Sequence, residues 1–179
     1  MAPMSDPTPS RRLRGGAVLA DALVRELLEA RLVAVLATFD REWAIHAVPM
    51  WYAAGEGRIV LATSSHSRKV RNLERDPRAT LVLHDSRPGF EVCGASIAGT
   101  VEVVPTASAP PLVELVHGRY VTAEGAADPA AAEFLESDDV ALRLRPASAL
   151  TWDERDSAAS AALRRRRGAL HLVPTEPRA

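Results

Sequence analysis

The sequence is short of several things, and each shortage excludes a class of protein. It has a single cysteine, Cys93. An intramolecular disulfide is therefore impossible, and a reducing compartment fits best. No stretch reaches the ~18 apolar residues that a membrane helix needs. Residues 1–16 carry Pro3, Pro7 and Pro9 but not the apolar run of a secretory signal. A cytoplasmic protein without a membrane partner is expected. The net charge is −1 and the pI about 6.5. No global field recruits nucleic acid, so no nucleic-acid partner is expected. His46, His66, His84, His117 and His171 form no H-x-x-x-H or H-x-H pair, and no metal centre is expected. There is no G-x-S-x-G motif, and the glycines are too scattered for a dinucleotide fingerprint or a P-loop.

The length of 179 residues suggests one domain. It is expected over residues 17–153, between a disordered tail at 1–16 and a flexible tail at 154–179 that carries Arg164 to Arg167. Apolar residues on one face predict a helix from Val18 to Ala30. Strands are expected at Leu32 to Thr38, Trp43 to Tyr52, Arg58 to Thr63, Ala79 to His84, Glu91 to Val104, Val140 to Leu144 and Ala149 to Trp152. Gly55 and Gly57 mark a hairpin, and Ser86 to Gly89 a turn. Residues 64–76 break the pattern as a loop and a short helix stopped by Pro77. Pro110 opens a helix to about Tyr120, and a second runs from Pro129 to Glu136. The result is a mainly β protein, with six or seven antiparallel strands joined mostly by hairpins and peripheral helices. Trp43, Ile45 and Trp51 alternate with Val48, Met50 and Tyr52, so both faces of one strand are apolar. The outer face then needs cover from helices or from a second copy, and a homodimer is the simplest closure.

Chemistry concentrates in the run from Thr63 to Leu73. Thr63, Ser64, Ser65 and Ser67 cluster hydroxyls at a strand end. Arg68, Lys69 and Arg71 follow in the first turn of a helix, and Lys69 is the only lysine among 22 basic residues. Hydroxyls and helix N-terminal N–H groups are good phosphate ligands. Cations at a helix N-terminus oppose the dipole by roughly 0.3–1 kcal/mol each, and a bound anion reverses that sign. The same residues are also compatible with Ser67 as a plain N-cap and with cations paired to Glu74 and Asp76.

Thr63, Ser67, Arg68 and Lys69 reproduce a T-x-x-x-S-R-K pattern, continued by Asn72-Leu73-Glu74-Arg75-Asp76-Pro77-Arg78. The segment from His46 to Trp51 matches a second-strand pattern. In these features the sequence resembles the pyridoxamine 5′-phosphate oxidase-like split β-barrels that bind flavins. The wording from Ser67 to Leu73 is most similar to the branch using the deazaflavin coenzyme F-420. The resemblance implies a split barrel and a cofactor, coenzyme F-420 or FMN. It implies that Thr63, Ser64, Ser65, Ser67, Arg68, Lys69 and Asn72 form the phosphate side of the site. Val48, Pro49 and Met50 would lie at the ring, with Trp51 stacking on it or packing in the barrel. His66 lies in the same loop, either touching the ligand or facing solvent.

Two departures bear on the activity. Ala47 stands where true pyridoxamine phosphate oxidases carry a phosphate-binding arginine, and their C-terminal arginine–histidine motif is missing near Ala149 to Asp153. Oxidation of pyridoxamine phosphate is therefore not expected. No side chains pair as nucleophile and base, which fits an enzyme whose cofactor supplies the reaction. The expectation is hydride transfer between coenzyme F-420 and a small organic substrate. The alternatives are an FMN-dependent oxidase or reductase, and a non-catalytic flavin- or heme-binding protein.

Overall fold

The computed structural model describes residues 10–55, 57–87 and 91–165. The chain opens with β1 (Arg11–Arg14), α1 (Ala17–Ala20) and α2 (Ala22–Glu29). Four strands follow, β2 (Ala34–Phe39), β3 (Ile45–Met50), β4 (Ala53–Gly55) and β5 (Arg58–Thr63). Then come α3 (Arg68–Arg75), β6 (Arg78–Arg87), β7 (Glu91–Val104), α4 (Pro110–Tyr120), α5 (Ala123–Ala126) and α6 (Pro129–Glu136). The described chain ends with β8 (Val140–Asp153) and α7 (Ala158–Arg165).

All strands join one antiparallel sheet in the order β3-β2-β6-β7-β8-β5-β4, with β1 paired to β8. The sheet curls into a split barrel, as expected. β8 is its hub. From Ala141 to Asp153 it faces β7, interrupted at Ala147 by a bulge, while β5 takes Val140 to Leu144 and β1 takes Ser148 to Thr151.

Leu36, Tyr52, Ile59, Leu61, Leu81, Ile97 and Leu142 fill the barrel, and Leu23, Val24, Leu27 and Leu28 of α2 join them. Alternate residues of β5 serve a second core. Val60 and Ala62 meet Val113 and Val116 of α4. That double burial explains the unbroken apolar reading of β5. The outer face of β2 and β3 has no such cover, and Val35 and Ile45 are 39% and 71% exposed.

Several boundaries differ from the sequence reading. The first helix is broken at Asp21, which leaves the helical region (ψ 135°). Its carboxylate accepts from the N–H groups of Leu23 and Val24 and so caps α2. The strand expected from Trp43 to Tyr52 stops at Met50. Tyr52 turns fully inward, its hydroxyl 2.6 Å from the Leu27 carbonyl and 2.8 Å from that of Ala30. The two closing strands are one, because Pro146 sits at a bulge where the missing N–H is tolerated. Gly99 faces it, and a Cβ there would lie 2.1 Å from the Arg145 carbonyl oxygen.

The expected N-terminal tail is partly ordered, with Arg11 to Arg14 pairing to β8. The expected C-terminal tail holds α7, where Ser160 is 1% exposed. Arg155 is anchored to Glu26 and Asp153. Residues 1–9 and 166–179, the ends of both expected tails, and residues 88–90 of the expected turn lie outside the described residues.

Candidate functional site

The split in the barrel runs between β3 and β5, which do not pair with each other. A cleft of about 440 Å³ opens there. Pro49 and Met50 of β3, with Trp51 after it, form one wall. Ala62 and Thr63 of β5 form another, continued by Ser64, Ser67 and Lys69. Val33, Ser137 and Asp138 complete the lining.

The polar wall is built by a turn. β5 ends at Thr63, and the Ser67 N–H donates to the Ser64 carbonyl at 3.0 Å. Ser67 occupies the N-cap position of α3, yet its hydroxyl makes no capping bond. Its Oγ is buried and has no partner. A buried polar atom left unpaired costs free energy, so the plain N-cap reading of Ser67 does not hold.

The three cations at the start of α3 take different directions. Arg68 reaches Asp40 in the β2–β3 hairpin at 2.7 Å. Arg71 donates to the His66 carbonyl. Lys69 faces the cleft, and its Nζ donates to Thr63 Oγ1 at 2.8 Å. It makes no ion pair among the described residues. Burial lowers its pKa, partly offset by the charge of Asp138. No acidic residue stands in the first turn of α3. A half-buried cation and a buried, unpartnered hydroxyl thus stand together beside a helix N-terminus, with Asp138 acting on the lysine through its charge but making no direct ion pair with it.

The remaining candidates do structural work around the cleft. Ser65 gives its N–H and its hydroxyl to Asp139, at 2.6 and 2.8 Å, which fixes the loop to the start of β8. Those bonds lower the Asp139 pKa. Asn72 is 4% exposed and donates to Thr38 Oγ1, which seats α3 on β2. Val48 packs against the barrel core. His66 is exposed. Trp51 lines the cleft and stacks on Tyr120, with ring centroids 5.0 Å apart and planes within 3°.

Seven of the eleven sequence-derived candidates therefore line the cleft: Pro49, Met50, Trp51, Thr63, Ser64, Ser67 and Lys69. Val48, Ser65, Arg68 and Asn72 support it from behind. Sequence reasoning missed Ala62, one residue before the motif, and Val33, Ser137 and Asp138, which arrive from other elements. Their only signal is the polar run Ser137-Asp138-Asp139 between a helix and a strand.

Among the described residues no cluster of His, Cys, Asp or Glu could hold a metal ion. No described helix is long and apolar enough to cross a membrane.

Comparison with known proteins agrees with this architecture. The family model described as pyridoxamine 5′-phosphate oxidase matches residues 20–153. A conserved hypothetical protein from Mycobacterium tuberculosis superposes with TM-score 0.61 at 28% identity, covering 75% of this chain and 85% of its own. An F-420 reductase gives 0.54 at 24% identity, covering 70% and 94%. The heme storage protein of Vibrio cholerae gives 0.56 at 15% identity, covering 74% and 95%. No curated protein matches the chain.

Proposed function

The chain belongs to the pyridoxamine 5′-phosphate oxidase family, and from that premise we propose that it is a cytoplasmic oxidoreductase dependent on a phosphate-bearing flavin or deazaflavin. Coenzyme F-420 is favoured over FMN, and a small organic molecule is the substrate.

The observation that carries this reading is the pairing of Ser67 Oγ, buried without a partner, with Lys69, half-buried and without a direct ion pair among the described residues. Both fit a phosphate. Lys69, Ser67, Ser64 and Thr63 would hold it. Pro49, Met50 and Trp51 would border the ring, and apolar Val33 and Ala62 would keep water from it. The bound cofactor supplies hydride chemistry, and the chain binds and orients. Ala47, where pyridoxamine phosphate oxidases carry arginine, and the wording of the Ser67 to Leu73 segment favour the deazaflavin.

The proposal includes a homodimer. The outer face of β2, β3, β6, β7 and β8 carries a shallow apolar hollow of about 360 Å³, lined by Phe39, Ile45, Ala79, Ala98 and Ala147 among others. Trp43 stands close by, within aromatic contact of Phe39 and 66% exposed. Exposed apolar area of this kind marks a contact surface, and a second copy of the chain is its proposed occupant.

Titration of the purified protein with coenzyme F-420 and with FMN, read by tryptophan quenching, tests the cofactor. Micromolar binding of the deazaflavin with weak FMN binding is expected. The reverse preference moves the protein to an FMN-dependent activity, and binding of neither overturns the redox reading.

A further inference from the structure

One ionisable pair at the cleft lies outside the Thr63, Ser64, Ser67 and Lys69 cluster, although the charge of Asp138 is felt by Lys69. His117 on α4 places Nε2 2.9 Å from Asp138 Oδ2, and the two side chains are only 14% and 18% exposed. Asp138 lines the cleft. His117 stands edge-on to Trp51, with ring centroids 6.5 Å apart.

Lys69 and Asp138 are the only ionisable side chains among the described lining residues. Lys69 is held by Thr63 and faces the phosphate side. The other charged and titratable groups nearby are engaged or turned away. Asp139 is bonded to Ser65. Tyr120 donates to the Leu32 carbonyl. Arg119 is bonded to the carbonyls of Leu28 and Ala30, and Glu114 is on the exposed side of α4.

A carboxylate is an odd lining for a cleft that attracts an anion, because it repels the same ligand. A proton on the pair removes that repulsion. Anion binding therefore favours proton uptake by His117 and Asp138 together. The bound state then holds a transferable proton on a residue that lines the cleft.

We propose that Asp138, oriented and resupplied with protons by His117, is the general acid of this cleft. The proposal rests on the oxidoreductase reading above. Reduction of a double bond X=Y adds hydride to X and leaves the electron pair of the broken π bond on Y. The hydride comes from a reduced flavin- or deazaflavin-class ring, which loses two electrons. The proton that forms Y–H comes from Asp138. The step starts from the form of the pair that carries one transferable proton on the imidazole. The proton passes from Nε2 to the carboxyl group and on to Y, leaving neutral imidazole and carboxylate, and water reloads His117.

The test uses the full chain, its Asp138→Asn and His117→Gln variants, and two readouts. Calorimetric titration with coenzyme F-420 and with FMN, near neutral pH in buffers of low and high ionisation enthalpy, counts protons taken up. The cofactor contributes its own protons equally in every variant, so differences report the pair. Uptake is expected in the wild type and is lost in both variants. Stopped-flow oxidation of the prereduced complex by a quinone, menadione, reads the transfer. It is expected to slow by about 10²–10⁴-fold in Asp138→Asn, with the falling alkaline limb of the wild-type rate profile lost in both variants. Binding with the same proton uptake in all three proteins, or unchanged rate profiles, overturns the acid role and leaves the oxidoreductase reading standing. Failure of the wild type to bind either cofactor overturns both.

Discussion

Lys69 and Thr63 meet across the junction of α3 and β5, the ammonium donating to the threonine hydroxyl at 2.8 Å. This contact turns the lysine inward, whereas Arg68 beside it turns outward to Asp40. Lys69→Met should therefore weaken cofactor binding by about 1.5–3 kcal/mol, the range of a charge-assisted hydrogen bond. The ligand-free protein should be no less stable, because a desolvated charge without an ion pair contributes little or nothing. Arg68→Ala should affect binding less than Lys69→Met and should instead loosen the β2–β3 hairpin. Isothermal titration and urea melts separate the two.

Asp139 holds the loop between β5 and α3 through the N–H and the hydroxyl of Ser65. Asp139→Asn retains the shape but not the charge, and the Ser65 amide should exchange with solvent faster, as hydrogen-exchange mass spectrometry would report. The wild-type loop should also loosen in acid. The folded-state pKa is lowered below the ordinary 3.8 by the Ser65 bonds. That stabilisation is present above the ordinary value and is lost as pH falls through the lower folded one.

Tyr52 gives the opposite dependence. Burial, with a smaller effect of Tyr120, raises its pKa from 10.0 to about 12. Its stabilisation is complete below pH 10 and is lost as pH rises toward 12. Tyr52→Phe should be less stable at neutral pH by about 1–3 kcal/mol, since the Leu27 and Ala30 carbonyls lose a donor. It should also show a flatter stability profile across the alkaline window, read by denaturant melts at each pH.

Gly99 admits no side chain. A Cβ would meet the Arg145 carbonyl oxygen at 2.1 Å, and backbone cannot yield as a flexible side chain does. Gly99→Ala should destabilise by about 1–3 kcal/mol or more, measured as a lower urea midpoint with an unchanged slope.

Much of this molecule was legible in its sequence. The spans of β5, β7 and α4 follow from apolar patterning, Pro110 and flanking turns, which are local signals. The motif from Thr63 to Lys69 located most of the polar cleft wall. The direction of each cation was not legible, because α3 spreads Arg68, Lys69 and Arg71 over different faces and their partners come from distant segments. Asp40 lies 28 residues from Arg68, and Asp139 lies 74 from Ser65. The same limit hid Asp138, which reaches the cleft only because β8 pairs with β5. The strand β1 was missed because Arg11 to Arg14 has no apolar alternation, and its place is set by the open edge of β8.

β8 also governs when the fold can appear. Its partners β5 and β7 are complete early in the chain, but the strand that joins them ends at Asp153. A growing chain therefore carries β5 and β7 with unmatched edges until the last strand emerges. At common synthesis rates that interval is on the order of ten seconds. Pairing over such sequence separations is intrinsically slow. Before that moment Thr63, Ser67 and Lys69 have no complete cleft to line, so on the proposed reading a cofactor can be captured only once β8 has emerged.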